Sequence, residues 1–139
     1  MRRRSLRGLL TDTNVKQLVV DDGQLTQGYV VEEFYAWVDG TGADGVYAVL
    51  GKEYDMRPAG DASDSRQIAW AGNGWGSGGT PTGDSFSVID PDHVILRDLY
   101  IRNTSNDPCN YLIVLRQKNL SDDESILQLI KERSQDDTR

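Results

Sequence analysis

The feature that most constrains this chain is a succession of short runs of β-branched, aliphatic and aromatic residues. Each is closed by glycine, proline, aspartate or asparagine. Residues 15–20 (VKQLVV), 27–39 (QGYVVEEFYAWVD), 46–54 (VYAVLGKEY), 67–71 (QIAWA), 85–89 (SFSVI), 93–103 (HVILRDLYIRN) and 110–117 (NYLIVLRQ) all read as strands. One segment has helical character. Ser121 with Glu124 three residues on forms a capping box, Asp122 and Asp123 suit the positive end of a helix dipole, and Ile126, Leu127 and Ile130 make an apolar stripe. The pattern predicts a mainly β fold, an antiparallel β-sandwich or jelly-roll-like barrel, with one C-terminal helix over residues 121–134.

The run 27–39 is unusual. Tyr29, Val31, Tyr35 and Trp37 would share one face, and Val30, Phe34, Ala36 and Val38 the other, interrupted by Glu32 and Glu33. A half-solvated antiparallel strand alternates more cleanly. Either the strand bends at the glutamates with a bulge, or its second face is covered by another sheet, the helix or a neighbouring subunit. The glycine-rich 39–45 reads as a hairpin loop with 46–54 as the return strand, and 104–109 (TSNDPC) as the loop of a second hairpin joining 93–103 to 110–117.

Length suits a single domain, organised as a basic N-terminal arm (residues 1–14), a β-rich body (15–120) and the helix with a polar tail (121–139). The apolar part of the start, residues 8–10, is too short for a secretory signal. A lone cysteine, Cys109, excludes an intrachain disulfide. The net charge is −7, and with Arg2, Arg3, Arg4 and Arg7 set aside the remainder carries −11. Acids are mostly Asp (17 against 5 Glu) and bases mostly Arg (11 against 4 Lys), a surface that stays hydrated when salt screens repulsion. Such a body is a poor partner for nucleic acid. Only the arm, through Arg2, Arg3, Arg4 and Arg7, suits phosphate, anionic lipid or an acidic neighbour.

The chemical motifs fail on their surroundings. Gly74, Gly76 and Gly79 fit G-x-G-x-x-G, but Thr80-Pro81-Thr82-Gly83 follows in place of a helix, and no βαβ unit surrounds them. The segment reads instead as a mobile rim loop on which Trp75 is a surface contact residue, while Trp70 reads as core. Asp39 and Asp44 lack the further oxygen ligands of a calcium loop. Asp90-Pro91-Asp92-His93 holds the only histidine, too few ligands for a common zinc site, and reads as a turn. Cys109 reads as a small buried residue. These residues predict no catalytic group, no metal, no cofactor and no small-molecule substrate.

A basic arm (Arg2, Arg3, Arg4, Arg7), short strands with glycine-rich rim loops, and a salt-tolerant acidic surface together resemble virion structural proteins. The likeness is to small jelly-roll capsid, vertex or decoration proteins of haloarchaeal viruses, and it covers the whole chain in style. The resemblance implies a non-catalytic capsid component that assembles with itself and with neighbouring capsid proteins. It would reside in the virion after assembly in the host cytoplasm, with the arm on neighbours, lipid or genome. A tail-tube or head–tail connector protein would look much the same. A carbohydrate-binding β-sandwich, stacking sugars on Trp75, Trp37 or tyrosines, is the alternative of a different class.

Overall fold

A computed structural model describes residues 3–20, 27–39, 45–73 and 85–119. Arg2, Trp75, the rest of the glycine-rich segment and the expected helix at 121–134 lie outside the described residues. Eight strands follow in chain order: β1 (Arg3–Leu10), β2 (Lys16–Val19), β3 (Gln27–Val38), β4 (Val46–Gly51), β5 (Gln67–Asn73), β6 (Ser85–Ile89), β7 (Asp98–Asn103) and β8 (Cys109–Asn119). They form two antiparallel sheets, one ordered β1-β8-β3 and the other β2-β7-β4-β5-β6.

Alternation along the strands builds one core between the sheets. Phe34 and Ala36 of β3, with Tyr111, Ile113 and Leu115 of β8, join Leu18, Leu50, Ala69, Leu99 and Ile101 of the five-stranded sheet in a single buried cluster. Burying each large aliphatic or aromatic side chain contributes about 1.5–3 kcal/mol.

The two apolar faces of β3 follow from a bulge. Val31 pairs with Leu115 and Glu33 with Val114, so Glu32 is an extra residue and side-chain parity reverses there. Tyr29 and Val31 before the bulge therefore point the same way as Phe34, Ala36 and Val38 after it, into the core. Val30 faces outward and packs against Val94 and Leu96. That segment bridges to β3, with Tyr29 N–H donating to Ile95 C=O at 2.9 Å and Ile95 N–H returning to Tyr29 C=O at 2.7 Å. Gly28 permits the approach: a Cβ there would lie 2.6 Å from Val94 Cγ1. So residues 93–103, expected as one strand, cross between layers first and become strand only from Asp98.

Three expectations are corrected. Within the stretch read as a basic arm, Arg3–Leu10 is a strand paired along its whole length with β8. The two expected hairpins do not form, because β3 and β4, and likewise β7 and β8, lie in different sheets. A short polar connection suits a sheet-to-sheet crossing as well as a hairpin. The choice falls to whichever distant strand completes the buried face.

The middle of the outward side of the five-stranded sheet is covered by the connection between β4 and β5, while Val19, Phe86 and Val88 toward its edges stay exposed. Arg102 Nη1 donates to Met56 C=O at 3.3 Å, and Gln67 Nε2 donates to Ala59 C=O at 2.7 Å. Trp70 Nε1 donates to Gln67 Oε1 at 2.8 Å. Trp70, read as core, is thus half-buried on this outward side. Its cross-strand partner Val49 is completely buried. Asp64 anchors the cover: it accepts from Arg57 N–H at 2.9 Å and from Arg66 Nε at 2.7 Å.

Candidate functional site: the outward face of the three-stranded sheet

The outward side of β1-β8-β3 carries large side chains in rows across all three strands. Its cross-strand rows are Leu9–Asn110–Trp37, then Arg7–Leu112–Tyr35, then Ser5–Val114–Glu33. Leu9, Tyr35 and Trp37 are 42%, 44% and 43% exposed, and Leu112 and Val114 are half-buried. Large apolar groups gathered on one sheet face are uncommon on an isolated domain and mark contact surfaces.

One end of the face is charged and internally balanced. Glu32, presented by the bulge, has Arg3 Nη2 2.7 Å from Oε1 and Arg116 Nε 3.3 Å from Oε2. Exposed ion pairs of this kind contribute about 0–1 kcal/mol each. Tyr35 donates its hydroxyl to Glu33 Oε1 at 2.8 Å, and that bond, with the carboxylate charge, holds the phenol above its ordinary value.

The arginines expected to act together are separated by strand parity. Arg3 and Arg7 face outward, while Arg4 turns inward and its guanidinium donates to Val20 C=O at 3.2 Å and to Val19 C=O at 3.4 Å. Arg4 therefore ties β1 to the end of β2. Arg7 lies beside Leu112 in the middle of the face and makes no ion pair among the described residues. Arg2 and Trp75 lie outside the described residues.

The aromatic end of the face runs into a cleft of about 440 Å³ where β3 meets β5 and β6. Tyr35, Trp37 and Phe86 supply rings, and Asn73, Ser85 and Ser87 supply polar groups. Sequence reasoning named Trp37 as a stacking residue but missed Phe86, Asn73 and the serines, since nothing local predicts that β6 lies beside β3. Leu9 was missed as well. The inward series Arg4, Leu6, Leu10 was the available signal, masked by the arginine run.

The remaining candidates are structural. Asp90 and His93 form a turn: Asp92 N–H donates to Asp90 Oδ1 at 3.1 Å, and His93 Nε2 lies 3.0 Å from Asp90 Oδ2. Burial, with Lys52 Nζ 3.4 Å from Nδ1, keeps the imidazole below its ordinary value. A neutral ring donating from Nε2 to Asp90 and accepting from Lys52 satisfies both contacts. Cys109 is buried, and burial pushes its thiol up to about 12, far from thiolate at neutral pH. Among the described residues no group of three metal-ligating side chains converges. Comparison with known proteins finds no matching family model, no matching curated protein and no matching solved structure.

Proposed function

We propose that the chain is a virion structural protein, a non-catalytic capsid component that assembles with copies of itself and with neighbouring capsid proteins. The observation that carries this reading is the large apolar row across the outward face of the three-stranded sheet. Leu9, Tyr35 and Trp37 stay exposed there around the half-buried Leu112, while the 52–66 connection covers only the middle of the other sheet and leaves Val19, Phe86 and Val88 exposed toward its edges. Burial of such a face between subunits is the simplest outlet for its apolar surface.

We infer further that the two sheets form a jelly-roll sandwich. Supporting this, β1 pairs with β8, β2 with β7 and β4 with β5, while β3 lies against β6. Such nesting folds the chain back on itself about the 52–66 connection, as expected for two Greek keys, an architecture found in capsid and lectin domains. Closure of a shell then needs repeated contacts of the kind the bare face offers, and the acidic body keeps the subunit soluble in salt.

The test is the mass of the purified full chain by light scattering, across protein concentration in dilute buffer and in molar salt. The reading expects oligomers that Leu112→Asp and Trp37→Asp dissociate. A chain that stays monomeric throughout, and does not bind the other shell proteins of a virion, would overturn it.

A further inference from the structure

We propose that the cleft between β3 and β6 binds a neutral oligosaccharide. The cleft shares Tyr35 and Trp37 with the face assigned to assembly and adds Phe86, Asn73 and two serines at the seam between the two sheets, so sugar binding is read separately from oligomer mass.

Three rings stand partly exposed around the cleft: Tyr35 at 44%, Trp37 at 43% and Phe86 at 38%. Two of the three rings are held by neighbouring side chains. Glu33 accepts the Tyr35 hydroxyl at 2.8 Å, and Tyr47 meets Phe86 edge-on with ring centroids 5.3 Å apart. Gly72 makes room for the Phe86 ring, because a Cβ there would lie 2.9 Å from Phe86 Cε1. Exposed rings held in place bind with little loss of side-chain freedom. Tyr35 and Trp37 are two residues apart on one strand, so their rings are about 7 Å apart along it. That spacing gives the platform a direction, as a linear ligand requires.

The polar groups narrow the ligand class. Asn73 offers an amide that both donates and accepts, and Ser85 a hydroxyl that does the same. Ser87 donates to Phe34 C=O at 2.6 Å, which leaves its oxygen lone pairs as acceptors toward the cleft. Among the described residues no charged side chain lines the cleft, and the chain's net charge of −7 disfavours anionic ligands. Flat aromatic faces for C–H surfaces, with neutral donors and acceptors for hydroxyl groups, together match an uncharged sugar chain better than a phosphate, a peptide carboxylate or a purely apolar molecule.

The experiment titrates the ¹⁵N-labelled full chain with cellohexaose, mannohexaose and chitohexaose up to millimolar concentration, following the Trp37 indole N–H. At least one hexaose is expected to shift that signal saturably. Trp37→Ala and Phe86→Ala are expected to weaken binding about tenfold or more, read by calorimetry. Val88→Ala, exposed on β6 but away from the cleft, is expected to leave it unchanged. Failure of all three hexaoses to move the Trp37 signal of the unmodified chain would overturn the proposal, whatever the variants do. So would binding that survives Phe86→Ala in a chain whose amide spectrum is otherwise intact. Neither result bears on the mass measurement that tests assembly.

Discussion

The hydroxyl of Ser87 donates to the main-chain carbonyl of Phe34 at 2.6 Å, joining residues 53 positions apart in the sequence. It fastens the β3 edge of one sheet to the β6 edge of the other. Phe34 sends its ring into the core and its carbonyl to the seam, so one residue serves both packing and closure.

Ser87→Ala is therefore expected to loosen the seam without disturbing the core. The loss of one neutral hydrogen bond corresponds to about 0.5–1.5 kcal/mol. Hydrogen exchange at β6 amides should accelerate while that of Ile113 and Leu115 in β8 changes only with global stability. Equal acceleration in both would place the bond outside any local closing role.

The bulge makes a sharper test. Glu32→Ala keeps the residue count and removes the contacts to Arg3 and Arg116, so chemical denaturation should register at most about 2 kcal/mol. Deleting Glu32 is a different perturbation. It reverses side-chain parity over residues 27–31, turning Tyr29 and Val31 out of the core. The deletion should cost several times more than the substitution. Equal midpoints for the two variants would contradict the parity argument.

Acid sensitivity is expected at the cover over the five-stranded sheet. Burial by itself would raise the Asp64 carboxyl, but the Arg66 side chain and the Arg57 and Arg66 backbone N–H groups outweigh it and hold the carboxyl below its usual 3.8. A group depressed in the folded state stabilises fully above its unfolded value, and that contribution disappears as pH falls through the folded value. Melting temperature should thus drop below about pH 4 in the parent chain. In Asp64→Asn that segment of the pH profile should flatten, with a loss of about 1.5–3 kcal/mol at neutral pH for the charged hydrogen bonds removed. An unchanged profile in the variant would assign the acid response elsewhere.

At the bare sheet face, Arg7→Glu is expected to act differently from Leu112→Asp. Arg7 lies beside Leu112 without an ion pair among the described residues, so reversing its charge should alter the salt dependence of self-association. Leu112→Asp places a carboxylate in the centre of the apolar row and should abolish association at every salt concentration. Analytical ultracentrifugation across salt separates the two behaviours. Association that ignores both substitutions would move the interface off this face.

What the sequence determined by itself was the strand content and the special nature of β3. Period-two runs between turn residues suffice for the former, because alternation is a local property of an extended chain. Apolar residues in both parities around Glu32 and Glu33 suffice for the latter, and a bulge was one of the two explanations those residues allowed. The turn at Asp90 and the buried Cys109 were equally local matters. Pairing was decided only by the tertiary structure. No property of residues 104–109 distinguishes a hairpin from a crossing between sheets, and Arg3–Leu10 becomes a strand because β8 has a free edge to complete. The cleft belongs to the same category: Trp37 and Phe86 meet because β3 and β6 are neighbours in space, and that proximity follows from how two whole sheets close over one core.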